Sequence, residues 1–187
     1  RTELDRGYPC LDDLFVGASL AAKPDMKKEL FVVCSASLDP EEAQKVCSKI
    51  MKNPRAFRRA ELKRRSDLLM RFYKKTGLKP TNQVSRLVTA SGDFLVSGKS
   101  GKSTIAGYPF FGVWGRDTLI SLPGLCLATG RKKDAEAILK GLIKEMQNGM
   151  IPDNFMGAKS FKSLDTSLWL FWTVWKYLEY TGDYEFV

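Results

Sequence analysis

The sequence predicts a mainly α-helical fold in which helical hairpins form concentric layers, preceded by the end of a β-rich region. Apolar residues recur at helical spacing through most of residues 54–181. The helices also alternate between one with a single apolar face and one that is apolar almost all round. The strand-like segments lie mainly in residues 1–48. Two strands do not form a stable sheet alone, so this opening is expected to be the tail of a β-domain that lies upstream.

The N-terminal region contains two predicted strands and two helix starts. Residues 30–34 form a short apolar run typical of a buried strand, and residues 12–16 form a weaker one. Pro40, followed by two acids, predicts the first position of a helix. Residues 54–75 predict a second helix, which Gly77 ends. Its apolar side chains are expected to share one face: Phe57, Leu62, Leu68, Leu69, Phe72 and Tyr73.

A β-hairpin and three helices are predicted in the rest of the chain. Residues 86–113 alternate around a Gly- and Ser-rich turn, which is typical of a hairpin. Residues 117–129 predict a helix kinked at Pro123, and residues 132–147 one with a single buried face. Residues 165–181 are apolar over most of the helix circumference, so this helix is expected to lie inside a larger protein.

The net charge of +9 comes from one segment of the chain. Residues 49–79 carry 12 Lys and Arg against 2 acids, and the remainder is almost neutral. The aromatic residues of this segment lie on the apolar stripe of the helix. Stacking on nucleic-acid bases would require them to lie among the cations. The segment is therefore interpreted as a solvated linker helix, with no nucleic acid and no membrane as partner. A non-enzymatic basic domain that binds polyanions is kept as an alternative.

The composition also limits the chemistry. The chain has no histidine, which excludes a histidine base from these residues and leaves carboxylates, Lys, Tyr and Cys for proton transfer. The four cysteines form no Cys-x-x-Cys pair. They are interpreted as buried, reduced thiols of a cytoplasmic protein, and neither a metal nor another cofactor is expected.

One segment of the chain partly matches the sequence pattern of a phosphate-binding loop. Residues 97–104 contain Gly101-Lys102-Ser103, the end of the P-loop pattern, but Val96 stands where that pattern requires glycine. Gly107 and Pro109 also prevent the helix that should follow. A solvated hairpin turn is the preferred interpretation.

Two loops have the composition of a carbohydrate site. Residues 106–118 combine glycines, a proline and four aromatic residues, and Trp114 offers a face for the C–H surface of a sugar ring. Arg116 and Asp117 can form charge-assisted hydrogen bonds with ring hydroxyls. Residues 149–155 lead to Asp165 at the start of the most apolar helix. The alternatives are that Asp117 is a helix cap with Arg116 as its surface partner, and that Asp165 is only a cap.

These motifs resemble a known family. Residues 107–111, 114–124, 129–131, 149–152, 165–169 and 177–183 closely resemble the C-terminal amylo-α-1,6-glucosidase domain of glycogen debranching enzymes, within the six-hairpin glycosidase superfamily. The resemblance covers about residues 86–187. It implies the first hairpins of an (α/α)6 toroid, a mainly α fold, in residues 86–187. Residues 1–48 then resemble the C-terminal tail of the β-sandwich domain that precedes it in archaeal and bacterial enzymes, and residues 49–85 form the basic linker helix.

The resemblance also implies an activity and a site. The expected reaction is hydrolysis of α-1,6 branch points in glycogen, limit dextrin or malto-oligosaccharides in the cytoplasm. The motif residues expected to bind the terminal glucose are Tyr108, Trp114, Arg116, Asp117 and Asp165. The general acid and base are expected beyond Val187, so the 187 residues alone should be inactive. Within the chain, Asp117 is the first candidate and Asp165 the second.

Three positions depart from the family. Phe110 stands where the family commonly has Trp, and Phe161-Lys162 stands where it commonly has Tyr-Asn. A different six-hairpin glycosidase, acting on another oligosaccharide, is therefore kept as an alternative function.

Overall fold

A computed structural model describes residues 29–34, 39–98, 101–108, 111–155 and 159–187. These residues are mainly helical, which confirms the predicted class, and they divide into two compact units between Arg55 and Ala56. The predicted strand at residues 12–16 lies outside the described residues. None of the helices in the described ranges is long and apolar enough to cross a membrane.

The described part of the first unit contains one full helix, α1 (Pro40–Lys52). The Asp39 side chain accepts a hydrogen bond from the Glu41 amide at 2.9 Å, and Pro40 occupies the first helical position, as predicted. The predicted buried strand at residues 30–34 is wrong, because Leu30 and Val32 are exposed and no strand is formed there. An apolar run becomes a strand only when another strand pairs with its backbone, and the described residues provide none beside it.

Two helices open the second unit: α2 (Pro54–Thr76), whose first two residues precede the boundary, and α3 (Asn82–Ala90). Leu68 and Phe72 of α2 pack with Val88 of α3 in a small apolar cluster. The predicted apolar face of α2 is correct there and wrong towards the N-terminus, where Phe57 and Leu62 are exposed. The sequence analysis missed α3, although the Thr81 hydroxyl caps it by accepting from the Val84 amide at 3.2 Å.

The predicted hairpin is confirmed, and it is short. Strands β1 (Leu95–Gly98) and β2 (Gly101–Thr104) pair antiparallel, with Leu95 opposite Thr104. The Thr104 hydroxyl donates to the Thr118 hydroxyl at 2.8 Å, and both side chains are buried. This bond joins the end of the hairpin to the helix that carries the candidate site.

The main core lies among three helices, α4 (Gly115–Leu122), α5 (Lys132–Lys144) and α6 (Leu164–Thr181). The predicted kink at Pro123 is a π-helical turn (Pro123–Leu127), and a short 3-10 turn (Tyr184–Phe186) follows α6. The Thr173 hydroxyl donates to the Leu119 carbonyl at 2.9 Å and ties α6 to α4. The buried apolar residues are Leu119, Leu122, Cys126, Leu127, Ala135, Ile138, Leu139, Leu142, Ile151 and Tyr177.

Helix α6 leaves an apolar face uncovered. Leu168, Phe171 and Trp175 are 59%, 74% and 56% exposed. The fully buried positions of this helix include two threonines, Thr166 and Thr173, so its inner face is partly polar. The apolar residues that suggested a helix inside a larger protein are therefore divided between this exposed face and a face that packs on the core.

The cysteines follow the sequence prediction only in part. Cys126 is buried, and burial raises the pKa of its thiol to about 12, so it is held as the neutral thiol. Cys34 is exposed and Cys47 half-buried, so the prediction of buried thiols is wrong for Cys34. All three are free thiols, and Cys10 lies outside the described residues.

Candidate carbohydrate-binding site

Close backbone contact fixes the start of α4. A Cβ atom on Gly115 would lie 2.2 Å from the Pro152 carbonyl oxygen and 3.3 Å from Cγ2 of Thr166. The Gly115 amide donates to the Asp153 carbonyl at 2.9 Å, and the Phe155 amide donates to the Val113 carbonyl at 3.1 Å. Glycine is therefore required at position 115, because the loop at residues 151–155 lies directly against the helix start.

Asp153 is the carboxylate that organises this loop. It is buried, and its oxygens accept from the Lys162 amide at 2.6 Å, the Ser163 amide at 3.2 Å and the Ser160 hydroxyl at 3.3 Å. Burial alone would raise the pKa of Asp153, but these donors outweigh burial and the pKa lies below its ordinary value. The carboxylate thus holds the loop at residues 151–153 against the segment that leads into α6.

Arg116 and Asp165 form an ion pair between the two helix starts that this loop contacts. Arg116 Nε is 3.2 Å from Asp165 Oδ2, and the two side chains are 56% and 43% exposed. Each lies in the first turn of its own helix, α4 or α6. The cap interpretations of the sequence are wrong: Trp114 is the N-cap residue of α4 and Ser163 that of α6, and Arg116 pairs with Asp165 rather than with Asp117.

Trp114 stands beside this ion pair in sequence and remains accessible. Its backbone forms a bridge with Asn154, so the loop that Asp153 organises also holds Trp114. The side chain is 38% exposed. The indole is partly exposed on a fixed backbone, at the N-cap of the helix that carries Arg116. Such a ring and such charged groups are the two parts of carbohydrate recognition. The ring can cover the C–H face of a sugar, and the charged groups can bond its hydroxyls.

Asp117 and Tyr108 take no part in this ion pair. One residue along a helix rotates the side chain by about 100°, and Asp117 lines a cavity of about 330 Å³ with Phe94, Ile120 and Leu125. Asp165 and Arg116 do not line this cavity. Tyr108 is exposed, donates its hydroxyl to the Asp93 carbonyl at 2.8 Å and packs its ring near Phe94. Of the five sequence-predicted residues, the structure thus joins Arg116 and Asp165 directly. Asp117 lines the separate cavity, and Tyr108 lies near Phe94 of its lining.

The sequence analysis did not single out Gly115 or Asp153, which support the site. The signal for Asp153 was its position after Pro152 in a loop followed by Ser160 and Ser163, which can donate to a carboxylate. Position 162, where the chain departs from the family, contributes its backbone amide to Asp153 whatever its side chain is. Position 110 lies outside the described residues. Within the described ranges, no cluster of three or more acidic or cysteine side chains could hold a metal ion.

Comparisons with known proteins identify the same family that the sequence motifs resemble. The family model described as amylo-alpha-1,6-glucosidase matches residues 85–187. A glycogen debranching enzyme of Saccharomyces cerevisiae is 28% identical over 123 residues. That match covers 62% of this chain and 7% of the yeast protein, so the chain spans a small part of the relative's length. No solved structure matches.

Proposed function

Because the chain belongs to the amylo-alpha-1,6-glucosidase family, we propose that it is part of a glycoside hydrolase that releases glucose from α-1,6 branch points. The substrates proposed are glycogen, limit dextrin and related malto-oligosaccharides. The yeast relative is a glycogen debranching enzyme, and this supports the substrate class. Within that enzyme, residues 86–187 contribute a wall that binds the terminal glucose.

The observation that carries the proposal is the ion pair between Arg116 and Asp165 at the start of α4, the helix whose N-cap residue is Trp114. Arg116 and Asp165 lie in the first turns of two helices, α4 and α6. Asp153 contacts both helix starts: its carbonyl accepts from the Gly115 amide, and its carboxylate accepts from the Lys162 and Ser163 amides. A surface ion pair contributes little to stability, so its position at a supported helix start favours a binding role. Both side chains keep enough exposure to exchange part of the ion pair for bonds to sugar hydroxyls.

The general acid and base are proposed to lie outside these 187 residues. An inverting glycosidase needs two carboxyl groups about 6.5–9.5 Å apart on either side of the bond that is cleaved. Asp165 is engaged with Arg116, and Asp117 lines the other cavity, so the two candidates do not share one wall. Asp117 and Asp165 are therefore assigned to substrate binding.

The same proposal includes the fold of the complete catalytic domain. We place α4, α5 and α6 in the first hairpins of an (α/α)6 toroid, in which further helices pack on the apolar face of α6. The exposure of Leu168, Phe171 and Trp175 supports this arrangement, because soluble proteins seldom leave such a face uncovered.

The experiment measures glucose release from limit dextrin by the intact protein that carries this chain. The Trp114→Ala variant should lower kcat/KM by about tenfold or more, because the stacking surface for the sugar is lost. Phe57→Ala is the control, since Phe57 is also an exposed aromatic residue but lies on α2, outside residues 86–187. Equal activity in both variants and the unchanged protein would remove Trp114 from the site.

The same assay tests whether Asp117 contacts the substrate. Asp117→Asn keeps the size of the side chain and removes its charge, and it should lower turnover strongly if Asp117 bonds the terminal glucose. Unchanged turnover would exclude Asp117 from the site. A substrate panel decides between the proposal and the alternative glycosidase: hydrolysis of another oligosaccharide, with no glucose released from limit dextrin, would contradict the proposal.

A further inference from the structure

A second cavity lies on the other side of the hairpin. Its volume is about 340 Å³, within the range of about 300–1,000 Å³ that is typical of small-ligand sites. We call it the hairpin cavity. Its polar and charged lining residues are Arg64, Ser97, Lys102, Ser103, Arg131 and Asp134. Three of these side chains are cations and one is a carboxylate, so the lining is basic.

One guanidinium nitrogen beside this cavity has no hydrogen-bond acceptor. Arg131 Nη1 donates to the Leu125 carbonyl and the Ser91 hydroxyl, each at 3.0 Å. Its Nη2 is buried and has no hydrogen-bond partner among the described residues. Buried polar atoms of this kind are rare, and their desolvation is costly unless a partner occupies the site.

The Arg64 guanidinium lies near the Arg131 guanidinium, beside Gly92. Arg131 Nη2 and Arg64 Nη1 lie 2.6 Å and 3.4 Å from the position that a Cβ on Gly92 would occupy. The bonds of Arg64 to Glu61 use its Nε and Nη2, at 2.7 Å and 2.8 Å, and leave Nη1 on the cavity side. Gly92 thus allows two cationic side chains to approach each other at the cavity wall.

The carboxylates near this cavity pair with two of its cations and leave the Arg131 guanidinium without an ion pair among the described residues. Glu61 pairs with Arg64, and Asp134, the carboxylate in the lining, pairs with Lys102. Burial is the main cause that lowers the pKa of Arg131, and the nearby charges of Arg64 and Arg71 act in the same direction, against that of Asp134. Guanidinium groups stay protonated in proteins, so the positive charge is retained there.

We propose that the hairpin cavity binds the phosphate group of a small ligand, between Arg131 and Arg64 on one wall and Lys102 on the hairpin. Guanidinium groups bond tetrahedral oxyanions through several donors, and a lysine on the hairpin adds a third charge. The Ser97 and Ser103 hydroxyls complete the donors of the wall. This site differs from a P-loop, because side chains rather than the amides at a helix start provide the donors. It does not depend on the proposed glucosidase activity.

Binding of inorganic phosphate to the intact protein tests the proposal, measured by equilibrium dialysis with chloride at equal ionic strength as reference. Arg64→Gln and Lys102→Gln should each weaken binding by about tenfold or more, since each removes a charge-assisted hydrogen bond. Arg65→Gln is the matched control. It removes the same charge from the same helix and also bonds Glu61, at 2.6 Å, but Arg65 does not line the cavity.

A third variant tests Arg131 without removing its bonds to the Leu125 carbonyl. Gly92→Ala places a methyl group against Arg131 Nη2, so the guanidinium must move, and phosphate binding should weaken although no charge is lost. Tryptophan fluorescence checks that each variant is folded. A parallel titration with glucose 6-phosphate compares free phosphate with a phosphate monoester, and the tighter ligand identifies the source of the phosphate group.

The outcomes separate clearly. Saturable phosphate binding that Arg64→Gln and Lys102→Gln weaken, while Arg65→Gln does not, supports the site. No saturable binding to the folded protein at millimolar phosphate overturns it. Equal weakening in all three charge variants also overturns it, because that result describes a general attraction of anions to a basic surface.

Discussion

The two aspartates on either side of the Ser163 cap have contrasting environments. Asp153 is buried and accepts hydrogen bonds from two backbone amides and from the Ser160 hydroxyl. Asp165 is 43% exposed and has one ion pair, with Arg116. Both carboxylates lie near the start of α6, and yet the first is committed to structure while the second keeps its oxygens accessible.

This contrast explains how the backbone of the site is held in place while the side chains of Arg116 and Asp165 stay accessible to a ligand. Gly115 and Asp153 hold two loops together below the surface, so the backbones of Trp114 and Asn154 are paired. Arg116 and Asp165 then lie on rigid helix starts with little stability depending on their own interaction. Substitutions in the support should therefore cost stability, and substitutions at the surface should cost binding.

The largest effect on stability is expected at Gly115. Gly115→Ala places a methyl group 2.2 Å from the Pro152 carbonyl oxygen, so the backbone of one loop must move. The free energy of unfolding should fall by about 3 kcal/mol. Tryptophan fluorescence during denaturation measures it, because all four tryptophans of the chain belong to the second unit.

Gly141→Ala is the matched control for this substitution. Gly141 lies inside α5, and a Cβ there would meet nothing within 4 Å. Alanine should stabilise the unit by about 0.5–1 kcal/mol, because it restricts the unfolded chain and favours the helix. Equal destabilisation by the two substitutions would contradict the close contact described at Gly115.

A smaller loss is expected at Asp153. Asp153→Asn turns one acceptor oxygen into a donor that faces the amides of Lys162 and Ser163, and the unit should lose about 2 kcal/mol. If the variant unfolds at the same denaturant concentration as the unchanged chain, Asp153 does not organise the loop.

The pH dependence of stability gives an independent test of the same carboxylate. Because the folded-state pKa of Asp153 lies below its ordinary value of 3.8, its contribution is complete above about pH 4. That contribution is lost as the pH falls from there through the folded-state pKa. The difference in stability between the unchanged chain and Asp153→Asn should therefore shrink below pH 4, and a difference that grows with acid would contradict this sign.

The smallest effect on stability is expected for the exposed ion pair. A double-mutant cycle with Arg116→Gln and Asp165→Asn should give a coupling free energy of unfolding below about 1 kcal/mol. A much larger coupling would mean that the pair holds the two helix starts together, and the assignment of support to Gly115 and Asp153 would then be wrong.

The sequence predicted those elements whose signals are local. Pro40 after Asp39, Gly77 after α2, and the helical spacing of Ile138, Leu139 and Leu142 each depend on near neighbours in the chain. The missed helix α3 is only nine residues long, and its apolar residues Val84, Leu87 and Val88 give one short stretch of helical spacing.

The support below the site was not predictable in the same way. The value of Gly115 depends on the Pro152 carbonyl, and that of Asp153 on amides at positions 162 and 163, which only the folded chain brings close. The pairing of Arg116 with Asp165 likewise required the packing of α4 on α6. Sequence motifs identified the residue types of the surface, and tertiary contact decided which of them meet.

The most direct test of the account measures kcat/KM for glucose release from limit dextrin by the intact protein and its Arg116→Gln variant. Lys140→Gln is the control, because Lys140 forms an exposed ion pair with Glu136 on α5, away from the helix starts. The account predicts a loss of about tenfold or more for Arg116→Gln, with a nearly unchanged free energy of unfolding. The same kcat/KM in Arg116→Gln, Lys140→Gln and the unchanged protein would contradict it.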